Sequence, residues 1–129
     1  MRPGLIRFIL ISLCLNALAA PNCRESKEPV IAVNRNADWY VARSENEQMW
    51  EGSLRRLQRP IGPAGRGGLN FAFSSKGVEY PVYTGTNTEK LTTFLGRLVC
   101  IRGKLVDLTS EGFGKELWIG SIQLINARQ

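Results

Sequence analysis

The chain has 129 residues, with 17 Lys and Arg against 11 Asp and Glu, and no histidine. That length supports one domain with one modest core. The missing histidine excludes imidazole general bases, imidazole metal ligands and the catalytic triads built on them.

The first residues fall into three zones. Arg2 and Arg7 make a basic start, Phe8 to Leu15 (FILISLCL) is an apolar run, and Asn16 leads into Ala17-Leu18-Ala19-Ala20. This is the order of a secretory signal peptide over residues 1–20, cleaved after Ala19 or Ala20. The alternative is a retained anchor, but a span needs about 20 apolar residues. The stretch from Leu5 to Ala20 is shorter and holds Arg7 and Asn16. A lipoprotein is disfavoured because Ala20-Pro21-Asn22 precedes Cys23. The expected location is therefore the periplasm or the secreted space, with no membrane anchor after cleavage. Loss of Arg2 and Arg7 lowers the net charge from +6 to +4. That charge permits a nucleic-acid partner without indicating one.

Cys14 lies in the leader, leaving Cys23 and Cys100. In an oxidising compartment two such cysteines are expected to pair, closing a loop of roughly 76 residues and stabilising the domain by about 4 kcal/mol on a chain-entropy basis. The alternative is a buried Cys100 and a loose Cys23. Residues 21–48 read as a polar N-terminal arm with one apolar run, Val30-Ile31-Ala32-Val33, able to add one short strand. A second segment, Ala37-Asp38-Trp39-Tyr40-Val41, follows it.

Residues 49–129 carry regular alternation. Trp50, Gly52 and Leu54 alternate with Glu51, Ser53 and Arg55, the spacing of a strand with one buried face. The stretch from Arg59 to Gly68 is too rich in Gly and Pro for helix or strand. Leu69, Phe71 and Phe73 then alternate with Asn70, Ala72 and Ser74. Ser75-Lys76-Gly77 turns the chain into a third strand, in which Val78, Tyr80 and Val82 share the inner face. Pro81 has no amide to donate and must face an edge or a bulge. Thr86 and Glu89 have capping-box spacing, and Leu91, Phe94 and Leu95 make one apolar helix face ending at Gly96. Arg97 to Asp107 is a long strand with Val99, Ile101, Gly103 and Leu105 inward and Cys100, Arg102 and Lys104 outward. A loop from Thr109 to Lys115 leads into a last strand, Glu116 to Ile125.

The expected fold is mainly β: five strands with one short helix between the third and fourth. In this order Met49 to Ile125 resembles the OB-fold, a five-stranded Greek-key barrel. Gly103-Lys104-Leu105-Val106-Asp107-Leu108 before Glu116-Leu117-Trp118-Ile119-Gly120 is similar to the last hairpin of small exported bacterial OB-fold proteins. Gly52 and Gly103 stand where such barrels need tight curvature. The resemblance implies a ligand groove bordered by the loop joining the first two strands and the loop before the last strand.

No catalytic set is apparent, so the chain is expected not to be an enzyme. The loop from Gly62 to Gly68 lacks the Gly-Lys-Ser/Thr ending of a phosphate-binding P-loop, and two cysteines alone cannot complete a zinc site. No metal or cofactor is expected. The candidate ligand-binding residues are Arg55, Arg59 and Arg66, able to grip anionic groups, with Tyr83 and Trp118. Across the groove stand Asp107, Glu111 and Glu116 against Lys115. Rims of opposite sign suit an envelope protein or glycan better than a polyanion. Only Tyr83 lies outward on the second and third strands, which disfavours a nucleic-acid partner that needs several stacking platforms. Trp118 either lies under the N-terminal arm or stands exposed as an anchor.

Overall fold

A computed structural model describes residue 23, residues 26–58 and residues 69–125. The expected signal peptide lies outside the described residues, as do Arg59 and Arg66. The elements are β1 (Val30–Ala32), α1 (Asp38–Val41), β2 (Gln48–Arg56), β3 (Phe71–Ser75), β4 (Val78–Tyr83), a 3-10 helix (Thr88–Phe94), β5 (Leu98–Asp107), a 3-10 turn (Thr109–Glu111) and β6 (Lys115–Leu124).

The strands pair in the order β2-β3-β4-β6-β5, and β5 returns to β2, closing a five-stranded barrel with β1 added outside on β6. All contacts are antiparallel except β4 with β6, where Val82 meets Leu117 and Tyr83 meets Trp118. This is the expected OB-fold-like Greek-key order, with the helix in its expected place. Lys76 and Gly77 both have positive φ (52° and 81°), the backbone of a two-residue hairpin turn matched to strand twist. Pro81 is paired with Ala72 on one side only, since the β4–β6 ladder starts at Val82.

The interior holds Leu54, Phe71, Phe73, Val82, Val99, Ile101, Leu117, Ile119 and Ile122, with Leu91 and Phe94 of the 3-10 helix packed against them. The helix end docks on β2, where Gly96 N donates to Leu54 O (2.9 Å). Gly52 and Gly103 are where strands press together. A Cβ on Gly103 would stand 2.6 Å from Trp118 O, and one on Gly52 would fall inside Ser74 O. Cys23 and Cys100 form a disulfide with Cα atoms 5.5 Å apart. Cys100 is outward on β5 as expected, covered by Cys23 and Ile125.

Four local readings are corrected. Val78 is 49% exposed rather than inward, because it flanks the hairpin turn beyond the core. Ala72 is buried although outward, its small side chain set between Arg55 and Pro81 in register. Lys104 is buried although outward, because the arm covers it. The Thr86–Glu89 capping box does not form: the helix is 3-10, begins at Thr88, and follows Asn87 with no side-chain cap. The Asn87 amide instead donates to Val33 O (3.0 Å) and Asn34 Oδ1 (2.7 Å).

Gly52→Ala is expected to lower unfolding free energy by about 1–3 kcal/mol, the usual range for overpacking a filled site. Urea denaturation of the two proteins measures it.

Candidate functional site: an aromatic cluster under the N-terminal arm

The site begins with a bulge. β5 pairs Arg102 with Ser121 and then Gly103 with Ile119, so Gly120 has no partner on β5. A bulged residue bends its strand and turns its backbone groups away from the ladder. Gly120 O here accepts from the amides of Val33 (2.8 Å), Asn34 (3.0 Å) and Arg35 (3.1 Å). Asn34 Nδ2, buried, donates to Thr84 O (3.2 Å) and Ile119 O (3.1 Å). These bonds satisfy backbone acceptors that would otherwise be buried unpaired, and they fix the arm just ahead of α1.

α1 is a single turn, too short to form alone. Its C-terminal carbonyls are met from below by Lys104 of β5, whose Nζ donates to Tyr40 O (2.8 Å) and Arg43 O (2.9 Å). The same ammonium lies 4.6 Å from the Tyr40 ring centroid. Tyr40 is buried over the bulge; a Cβ on Gly120 would stand 2.6 Å from its hydroxyl. That hydroxyl donates to Glu47 Oε2 (2.7 Å). Burial, then the Glu47 carboxylate, pushes the phenol well above the ordinary tyrosine value. Tyr40, Val106, Leu108 and Trp118 make a second small core outside the barrel, with Ala37, Tyr83 and Phe113 at its margin.

On this base three aromatic rings meet. Tyr83 and Trp118 lie 5.2 Å apart, tilted by 41°. Trp39 stands edge-on to both, at 5.4 Å and 5.5 Å. Arg43 lies 5.3 Å from the Trp118 ring centroid and donates through Nε to Glu45 Oε1 (2.9 Å) and through Nη2 to Glu45 Oε2 (2.5 Å). That bonded guanidinium holds Glu45 below the usual carboxylate range. Trp118 is 9% exposed and gives its indole N–H to Glu116 Oε1 (3.0 Å), whereas Trp39 is 39% exposed. The arm therefore covers Trp118, and Trp39 presents the outer surface of the cluster.

Of the candidate residues, the fold brings Tyr83 and Trp118 together and leaves Arg55 apart. Arg55 is in register with Ala72 and Pro81 but leans toward Glu79, the opposite way along β4 from Tyr83. The pair is bidentate, at 2.7 and 2.8 Å, and it holds the Glu79 carboxyl low. On the other rim Glu116 is buried. Asp107 accepts from the hydroxyl (2.5 Å) and amide (2.9 Å) of Thr109, and the hydroxyl bond above all keeps its pKa low. Trp39 and Arg43 were not singled out in the sequence, since a four-residue helix leaves no periodicity to read. Among the described residues, no cluster of three or more His, Cys, Asp or Glu could hold a metal ion. No helix among them is long and apolar enough to cross a membrane.

Because the folded-state pKa of Glu45 is depressed, the pair's stabilising contribution is present above the unfolded-state pKa and is lost as pH falls through the folded one. Carbon-13 titration should place the Glu45 midpoint below that of an ordinary glutamate, and Arg43→Met should move it up. Gly120→Ala should displace Tyr40 and α1 and expose Trp118 while the barrel stays closed. A red-shifted tryptophan emission with an unchanged far-ultraviolet spectrum is the expected record.

No protein family model, curated protein or solved structure matches this chain.

Proposed function

We propose that this protein is a non-catalytic binding module of the OB-fold type, exported to the periplasm or secreted, that recognises a protein or cell-envelope component. The contact surface is the outer face of β3 and β4, between the loop joining β2 to β3 and the loop joining β5 to β6. The observation that carries this reading is the Trp39–Tyr83–Trp118 cluster. It is a rigid aromatic surface at the edge of that face, and rigid aromatics are the side chains that most often dominate recognition energy. The disulfide agrees with an oxidising, non-cytoplasmic compartment.

A polyanion is the weaker partner. Arg43 and Arg55 are each already paired with a carboxylate. β3 and β4 offer only Tyr83 as an outward stacking ring, whereas single-strand binders use several.

The test is capture of solubilised envelope components by the immobilised, disulfide-intact protein, beside binding of a labelled single-stranded oligonucleotide. Trp39→Ala and Tyr83→Ala should each weaken envelope capture about tenfold or more, the scale of an interface anchor. Oligonucleotide binding should be weak and erased between about 50 and 200 mM salt. Tight oligonucleotide binding that survives salt, with capture indifferent to both aromatics, would transfer the assignment to a nucleic-acid binder.

A further inference from the structure

At one end of the closed barrel, β2 extends past its neighbour β3. β2 pairs with β5 from Gln48 to Ser53, but its ladder with β3 begins only at Ser53. Residues Gln48–Gly52 thus run past the β3–β4 hairpin, which turns at Ser75 and Val78. Glu51 O points toward the hairpin, because it accepts from Ser75 Oγ (2.7 Å). In a strand the N–H and C=O of one residue face the same side, and so do those of the residue two positions away. The amide and carbonyl of Met49 therefore also face the gap, with no strand beyond them among the described residues.

A cavity of about 470 Å³ occupies this gap, lined by Met49, Trp50, Lys76, Val78 and Tyr80 among others. Trp50 and Tyr80 meet edge-on at 5.4 Å in its wall. The Trp50 indole N–H is shut off from solvent and has no hydrogen-bond partner. A buried donor left unpaired is a marked departure from the rule for folded proteins. Met49 and Val78 are 42% and 49% exposed at the rim. Lys76 stands exposed at the turn, outside the described ion pairs. The far wall is held rigid by the disulfide, since Cys100 is in register with Glu51 and Cys23 N donates to Glu51 Oε2 (2.9 Å).

We propose that this edge is a second binding site, which takes an extended peptide segment as an added strand along Gln48–Trp50. Its main-chain amide and carbonyl pair with those of Met49. Its inward side chains are apolar, against Tyr80 and Val78, and an acidic side chain meets Lys76. Strand addition draws affinity from backbone hydrogen bonds and specificity from alternate side chains. Both requirements are present here, as an unpaired edge and an adjoining pocket walled in part by Trp50, Val78 and Tyr80. The site is separate from the aromatic cluster and does not depend on its ligand.

The test uses the disulfide-intact chain and blocked heptapeptides alternating valine with threonine or aspartate, added to about 2 mM, the weak end of peptide affinities. The expected result is a shift of the Trp50 indole cross-peak in nitrogen-15 spectra, identified by its loss in Trp50→Phe. N-methylation of the peptide, one amide at a time, leaves the protein untouched. It should weaken binding about tenfold at the one amide that meets Met49 O and little at the amides on either side of it, as pairing with a strand edge requires. Absence of any indole shift, or binding indifferent to N-methylation, overturns the proposal. A shift produced equally by an oligosaccharide such as chitotetraose also overturns it, because that assigns the pocket to a glycan.

Discussion

The bulge at Gly120 is the constraint on which the outer architecture rests. One unpaired residue in β6 turns a carbonyl outward, where three successive amides of the arm converge on it. The absent side chain leaves room for Tyr40 to lie across the strand. Remove either property and α1 has nowhere to sit, because a single helical turn has no stability of its own. The aromatic cluster is thus a consequence of backbone geometry in the last strand. Tyr83 and Trp118 would be neighbours in any case through β4–β6 pairing, but Trp39 reaches them only because the arm is fixed.

The same arm explains how a small barrel carries two apolar assemblies. The inner core is built by alternation, one face of each strand. The outer one violates alternation: Val106 and Trp118 stand on the solvent side of their strands and, with Leu108 just past β5, pack with Tyr40. Lys104 fits there because its amphipathic side chain carries the ammonium to two helix carbonyls, where a buried charge has partners. Polar groups at this junction serve as fasteners, with the amides of Asn34 and Asn87 tying the arm to β6 and to the segment after β4.

The barrel was largely legible because period-two alternation is a strong signal wherever one strand face is buried. Leu54, Phe71, Phe73, Val82, Val99 and Ile101 are all inside as that pattern requires. Gly52 and Gly103 were visible as interruptions that only curvature explains, and Cys23 and Cys100 as the two cysteines outside the expected leader. Of the two places open to Trp118, under the arm or exposed as an anchor, its burial selects the first. Where the reading failed, tertiary contacts overrode a local rule. The capping box at Thr86 and Glu89 has the right spacing, but Asn87 between them is committed to Val33 and Asn34, fifty residues away in the chain or more. Val78 keeps the phase of its strand but sits beyond the point where the core ends. Arg55 was grouped with the groove by composition, yet Glu79 lies across two strands and takes it the other way.

The arm also decides when this chain can fold. Among the described residues β1 pairs only with residues 121–123, and Cys23 is bonded 77 residues downstream. During synthesis the earliest part of the domain therefore waits, without a docking surface, until the last strand has been made. Barrel closure itself joins β2 to β5 and β4 to β6, contacts of long sequence separation that form slowly. No N-terminal fragment of the domain can hold its native shape in advance of the rest. The two ends are completed together, and the domain reaches its final form only once the whole chain is present.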